Sequence, residues 1–373
     1  MKYIIFSFLI LFVSCKSENT QNTFQSVLDS LFSTEFLPDA PGASIIVLKN
    51  QEIKYLGNFG VADIDTKEKI NENTAFNIAS VSKTFVSYGI LILQERGELS
   101  LDDSLSMYFD DFDNKEISGK IRIKHLLTHT SGLPDLRNVS ENIEFYLTAK
   151  DSANFEPLKH TYALNFQPGE RHEYSNPSYN GLALIIEKVT KQPWQRFIEE
   201  NIFLPSGMVD SKITNGSYPD SGVAHGYILE DGIYVENDYG EYPTFAASGN
   251  SGVWSSTSDL ARYENAISES KFLSKRLIEE SRRAFVPENW TDTIPSSKGY
   301  SWYIFDKEAA EKNFKVKEEI IYHYGDQGGF NAFYFSIPER NILYVGLFNR
   351  PFGKTSEKIE MVFEIMKKYK WLE

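Results

Sequence analysis

Two apolar stretches near the start of the chain predict paired strands. Ala43–Leu48 and Ile53–Phe59 flank the polar tetrapeptide Lys49-Asn50-Gln51-Glu52, a hairpin signature. Ahead of them, Phe24, Val27, Leu28, Leu31 and Phe32 recur at helical spacing within residues 24–36. After Ser80 the periodicity becomes helical through Leu93 and stops at Gly97. Residues 98–285 read mostly as helices joined by polar loops, with candidates at Ile123–His129, Tyr179–Thr190, Trp194–Ile202 and Thr257–Ser268. Strand patterns return at Gly299–Phe305, Glu319–Tyr324, Phe330–Ile337 and Ile342–Phe348. Residues 355–369 predict a closing amphipathic helix, with Ile359, Val362, Phe363, Ile365 and Met366 on one face.

Strands at both ends with helices between them predict an α/β (α+β) fold. Its sheet domain is discontinuous, formed by residues 24–97 and 286–373, with a mainly helical domain over 98–285. Short links between the late strands make the sheet mostly antiparallel. The cleft between sheet and helical insert is the natural ligand site. No internal repeat or low-complexity block is present.

Composition narrows the function. The chain has 373 residues, of which 41% are hydrophobic and 24% charged, so it is neither a disordered tail nor a polytopic membrane protein. Its net charge is −14 and it has no Lys/Arg-rich run, so it lacks the electrostatic footprint of a nucleic-acid binder. A single cysteine excludes an internal disulfide. That residue, Cys15, follows Met1-Lys2, the apolar run Tyr3–Val13 and Ser14. The run is too short to span a bilayer as a helix and suits a secretory leader. Phe12-Val13-Ser14-Cys15 resembles the lipobox of bacterial lipoproteins. The expectation is a signal peptide over 1–14, lipidation of Cys15, a polar tether over 15–23, and a protein anchored in the cell envelope, facing the periplasm or exterior.

The chemistry centres on Ser80-Val81-Ser82-Lys83. No cysteine is placed for catalysis, and neither Gly-x-Ser-x-Gly nor His-Glu-x-x-His occurs. Residues i and i+3 share a helix face, so Ser80 and Lys83 can touch. A serine in the first turn meets free N–H groups and the positive end of the helix dipole. A desolvated lysine beside it can serve as base. Tyr174 and Asn176, two apart before a helix, offer a proton-shuttling phenol and a carboxamide for a substrate carbonyl. His323-Tyr324-Gly325, at a strand end, is followed by Asp326 and the turn-forming Gly328-Gly329. Glycine there admits a close substrate backbone, and the next free N–H can complete an oxyanion hole with that of Ser80. His125 and His129 stand i, i+4, but no third ligand accompanies them and they read as structural. No cofactor motif is identified.

Taken in order, Ser80-x-x-Lys83, Tyr174-x-Asn176 and His323-x-Gly325 resemble the serine β-lactamase and penicillin-binding protein superfamily, in its class C β-lactamase-related branch. Arg122-Ile-Lys-His-Leu-Leu-Thr-His-Thr-Ser-Gly-Leu133, Gly97–Asp103, and the segments Ala247–Gly249 and Ser256–Arg262 agree with it. The resemblance covers about residues 24–350. It implies acyl-enzyme chemistry: Ser80 attacks a carbonyl, Lys83 and Tyr174 move its proton, Asn176 orients Lys83 and substrate, and the amides of Ser80 and Asp326 hold the oxyanion. The chain departs from β-lactamases and peptidases at His323 and Tyr324, where they have lysine and a small hydroxyl residue. That change weakens recognition of a substrate carboxylate. The implied substrates are small esters, amides or D-amino-acid peptides. A β-lactamase and a catalytically silent binding protein are the less favoured alternatives.

Overall fold

The computed structural model describes residues 23–137, 148–214, 216, 218–237, 247–351 and 355–373. Cys15, the leader and nearly all of the tether lie outside these residues. Eleven strands occur among them: β1 (Ala43–Lys49), β2 (Glu52–Phe59), β3 (Phe76–Asn77), β4 (Lys212–Ile213), β5 (Tyr227–Glu230), β6 (Ile233–Glu236), β7 (Val253–Ser255), β8 (Tyr303–Phe305), β9 (Ile320–Gln327), β10 (Phe330–Ile337) and β11 (Ile342–Phe348). Six form one sheet in the order β2-β1-β11-β10-β9-β8. Every neighbouring pair in it is antiparallel. The first and last strands of the sequence pair centrally, with Ala43 opposite Phe348 and Lys49 opposite Ile342.

Side-chain alternation explains why the sheet is covered on both faces. Ile45, Val47, Phe333, Phe335 and Tyr344 pack in one cluster with the N-terminal helix Phe24–Ser33 and the closing helix Thr355–Lys368. Their neighbours Ile46, Leu48, Ala332, Tyr334, Leu343 and Val345 face the other way, into the core shared with the helix Ser82–Glu95. β1 and β11 therefore read as continuous apolar runs, as strands buried on both faces do.

Several boundaries differ from the sequence expectation for identifiable reasons. β8 begins at Tyr303, not Gly299, because Ser301 adopts a left-handed conformation (φ 69°). β9 runs on through Gly325 to Gln327, since the Gly328-Gly329 turn keeps it paired with β10. The helix from Ile123 stops at Leu127, before His129 at φ 56°. The next predicted helix starts earlier, at Asn176, where the Ser175 side chain accepts from Ser178 N–H and Pro177 fits the first turn.

The middle of the chain is less purely helical than expected. It supplies β4 and β7, which join β3 in a three-stranded sheet, and the β5–β6 hairpin. The helix Thr257–Ser268 packs on β1 and β11, so it covers the large sheet instead of standing apart from it.

Candidate active site

Ser80 lies in a 3₁₀ turn, Ala79–Val81, that leads into the helix Ser82–Glu95. The turn is strained at Ala79, a non-glycine residue at φ 45°. Buried bonds hold it there. Ala79 N–H donates to Asn77 Oδ1 at 2.8 Å, Asn77 Nδ2 donates to the Ser251 carbonyl at 3.0 Å, and Ile78 N–H donates to the Val253 carbonyl at 3.0 Å. The neighbouring hydroxyl of Ser82 is fully buried and accepts from Val253 N–H at 3.0 Å, which leaves Ser80 as the half-buried serine of the motif.

The structure brings Lys83 and Tyr174 onto Ser80. Lys83 Nζ donates to Ser80 Oγ at 3.1 Å, and Tyr174 Oη donates to the same oxygen at 2.9 Å. Lys83 is fully buried with no carboxylate bonded to it among the described residues. Burial, with a smaller contribution from the Arg137 charge, holds its pKa well below the ordinary lysine value. Its second bond goes to the Asn250 carbonyl at 2.8 Å. Asn176, expected to orient Lys83, makes no hydrogen bond to it among the described residues. It is the first residue of the helix Asn176–Thr190, half-buried and close in sequence to Tyr174.

Asn250 was not legible as a functional position, because it acts through its main chain. A buried network fixes its turn. Asp151 Oδ1 accepts from Gly249 N–H at 2.9 Å and from Asn180 Nδ2 at 2.6 Å, while Oδ2 accepts from Trp194 Nε1 at 3.0 Å. Asn180 Oδ1 in turn accepts from Asn250 Nδ2 at 3.0 Å. Desolvation pushes the Asp151 carboxyl up to about 6 despite these bonds.

The His323 segment forms the opposite wall. Gly325 presses against the nucleophile turn: a β-carbon there would stand 2.3 Å from the Ile78 carbonyl oxygen and 3.0 Å from Ser80 N. In the β9–β10 hairpin the pair Gln327/Phe330 closes the two-residue turn, so Asp326 opposite Asn331 is a non-hydrogen-bonded pair. The Asp326 N–H therefore points away from β10, toward the edge that adjoins Ser80. β8 pairs with β9 only as far as Tyr322, which leaves that edge open beyond it. The geometry accommodates an oxyanion between the amides of Ser80 and Asp326.

Alternation buries His323 and exposes Tyr324. His323 Nδ1–H donates to the Tyr324 carbonyl at 2.8 Å. Burial, then the Lys83 charge, pushes its pKa down to about 3, so the imidazole is neutral and supplies no charge to a substrate. The two histidines spaced i, i+4 diverge. His125 Nδ1 accepts from Arg122 N–H and caps its own helix. His129 accepts from Ser175 N–H at 3.1 Å, and its ring lies 4.4 Å from that of Tyr174, tilted by 34°. His129 thus props the phenol, a task its spacing did not reveal. A cavity of about 350 Å³, lined by Glu264, Arg282, Ile321, Ser336 and Leu343 among others, is separate from this site. Ile321 lies about 13 Å along β9 from Gly325.

A serine contacted by a buried amine and a phenol, beside the open edge of a strand, is the arrangement of a serine hydrolase of the acyl-enzyme type. Residues 34–361 match the Beta-lactamase family model, and the chain belongs to that family. It is 29% identical over 317 residues to penicillin-binding protein 4* of Bacillus subtilis (strain 168), covering 82% of this chain and 67% of that one. Against protein flp of Staphylococcus aureus (strain NCTC 8325 / PS 47) it is 28% identical over 321 residues, covering 83% of this chain and 59% of the relative. The chain thus spans about two thirds or less of these relatives' lengths. Among solved structures it resembles the octameric penicillin-binding protein homologue from Pyrococcus abyssi, with a TM-score of 0.71, 27% identity, and coverage of 87% of this chain and 72% of that one. The D-amino acid amidase from Ochrobactrum anthropi SV3 shares the fold, with a TM-score of 0.74 at 22% identity and coverage of 93% and 99%.

Proposed function

We propose that the protein hydrolyses a small ester or amide through an acyl-Ser80 intermediate. The observation that carries this reading is the convergence of Lys83 Nζ and Tyr174 Oη on Ser80 Oγ, at 3.1 and 2.9 Å, in front of Gly325. In its neutral form the buried Lys83 amine accepts the Ser80 proton as Oγ bonds to the carbonyl carbon. The developing oxyanion sits between the amides of Ser80 and Asp326. Tyr174 and Lys83 pass the proton to the leaving alcohol or amine as its bond to carbon breaks. Water then attacks the acyl ester, gives its proton to the same pair, and restores Ser80. Asn176, at the helix start beside Tyr174, binds the substrate carbonyl side, and the Asn250 carbonyl takes over the orientation of Lys83.

The reading includes an envelope location. Lys2, the apolar run Tyr3–Val13 and Cys15 after Ser14 support a lipid anchor. Cys15→Ser should lose metabolic palmitate label and leave the membrane fraction; equal label on the variant refutes the anchor.

The test of the chemistry is intact-mass spectrometry after treatment with a fluorophosphonate probe. One adduct is expected on the natural protein and none on Ser80→Ala. A full adduct on the variant refutes the assignment. A fluorescent penicillin run in parallel separates a penicillin-acylated enzyme from one selective for other esters and amides.

A further inference from the structure

A surface at the opposite end of the large sheet from Ser80 carries a charge opposite to that of the whole molecule. The chain has a net charge of −14, yet residues 312–317 hold three lysines and no acid, and residues 367–371 hold three more beside Tyr369 and Trp371. The fold brings these two segments together. Lys367 Nζ donates to the Lys315 carbonyl at 2.9 Å, and Glu373 N–H donates to Glu318 Oε1 at 3.2 Å. Trp371 N–H donates to the Met366 carbonyl at 2.9 Å, and Lys49 Nζ lies 5.2 Å from the centroid of its ring. Lys315, Lys317, Lys368 and Lys370 are exposed and Lys49 is half-buried. Arg340 and Lys54 stand close enough for their charges to add to burial in lowering the Lys49 pKa. The neighbouring carboxylates are already engaged: Glu52 with Lys54, Glu364 with Lys367, and Glu318 and Glu373 with Arg340. None of the other five lysines is in an ion pair among the described residues.

The same surface receives the start of the fold. The ring of Phe24, first residue of the N-terminal helix, lies 4.2 Å from that of Trp371 and 5.5 Å from that of Tyr369. Thr23 follows Cys15 by eight residues, which reach no farther than about 28 Å. A lipid on Cys15 therefore keeps the lysines and Trp371 near the headgroups. Tryptophan and tyrosine, apolar in body and polar at one edge, suit that boundary. The register of the sheet places Ser80 at its other end. Gly325, which abuts the Ser80 turn, lies opposite Ala332, Ala332 opposite Leu347, and Leu347 opposite Ser44. Lys49 follows Ser44 by five residues along β1, about 17 Å.

Resting on the envelope location proposed above, we propose that this lysine and tryptophan face docks on anionic lipid headgroups and holds Ser80 at the end of the sheet turned away from the bilayer. Each lysine at such a surface strengthens binding about fivefold. Exposed charges are screened within about 8 Å at physiological salt. The face therefore orients a molecule that is already tethered, for which docking is intramolecular, and does not retain a free one. Substrate then arrives at Ser80 from the aqueous side.

The experiment is vesicle flotation of the chain from residue 15 with Cys15→Ser, which keeps every described residue. Vesicles are phosphatidylcholine alone or 7:3 with phosphatidylglycerol. At 50 mM salt the protein should bind the mixed vesicles at least tenfold more tightly, and the difference should vanish by 300 mM. Reversing Lys315, Lys317, Lys368 and Lys370 together to Glu should lower binding at least tenfold with the thermal midpoint unchanged. If that variant does not fold, Lys368→Gln with Lys370→Gln decides, with at least a fivefold loss expected. Equal binding to both vesicles, or a smaller loss in the variants, overturns the proposal. Binding to soluble polyphosphate without binding to vesicles overturns it as well. In the natural lipoprotein reconstituted into the same vesicles, phosphatidylglycerol should slow acetylation of those four lysines at least fivefold and leave Lys115 and Lys120 of the helical domain unchanged; equal slowing of both sets refutes the orientation. Intact mass reports the lipid on Cys15 separately, so failure of the anchor leaves the flotation result standing.

Discussion

Replacing Gly325 by alanine adds one methyl group where β9 meets the nucleophile turn. Its carbon would stand 2.3 Å from the Ile78 carbonyl oxygen, 2.9 Å from Ala79 Cβ and 3.0 Å from Ser80 N. A relaxed carbon–oxygen contact is about 3.3 Å, so the two backbones must part by about 1 Å. Neither can yield cheaply. Ile78 and Ala79 are pinned by Val253 and Asn77, and β9 is paired with β10 throughout. In the acyl-Ser80 reading proposed above, the separation shifts the Ser80 amide away from that of Asp326, where the oxyanion would sit. A misplacement of about 1 Å can cost about 10²-fold, and loss of one oxyanion donor about 10²–10³-fold. Gly325→Ala should therefore lower kcat by about two to three orders of magnitude, with an overpacking penalty of ~1–3 kcal/mol in stability. The assay is single-turnover acylation by a chromogenic ester, with urea denaturation in parallel. A variant that folds and acylates within fivefold of the natural rate would refute the two-amide geometry, since the clash falls between those two amides.

Three further outcomes are expected. Tyr174→Phe keeps the ring against His129 but removes the hydroxyl on Ser80, so kcat should fall by about 10²–10⁴-fold with little change in the thermal midpoint; activity within a few-fold would show that Lys83 works alone. The Asp151 carboxyl, raised to about 6 from 3.8, binds protons more tightly folded than unfolded, so stability should decline as pH rises from about 4 to about 6. The shift corresponds to about 3 kcal/mol, and urea titrations of the natural protein and Asp151→Asn should differ by about that amount across the window; parallel curves would exclude the raised carboxyl pKa. Glu264 accepts from Arg282, Ser336 and Tyr334 in the core, so Glu264→Gln should cost ~3–5 kcal/mol in urea while Ser80 still takes the fluorophosphonate, and a neutral substitution would contradict the pairing.

What the sequence revealed followed the kind of signal each residue leaves. β1, β10 and β11 were legible because both of their faces are apolar over seven or eight residues. Ser80, Lys83 and Tyr174, which the structure brings together, stood out because the proposed chemistry needs particular side-chain types. β3 and β7 were not legible, since strands of two or three residues carry no period and find their partners far away in the chain. The Asn250 carbonyl left no trace because any residue supplies one. The left-handed residues His129 and Ser301 ended elements whose hydrophobic pattern ran on.

The pairing of β1 with β11 bears on how the enzyme comes into being. Ala43 and Phe348 are roughly 300 residues apart, and contacts of such separation form late because a long loop must close first. β9, whose Asp326 amide is proposed above to hold the oxyanion, lies beyond β11 in the finished sheet and joins it through β10. As the chain emerges N-terminus first, Ser80, Lys83 and Tyr174 can gather before the strand that completes their pocket exists. Hydrolytic competence is thus withheld until the last quarter of the polypeptide has been made and zipped into register. A partly synthesised molecule carries its nucleophile without the means to use it.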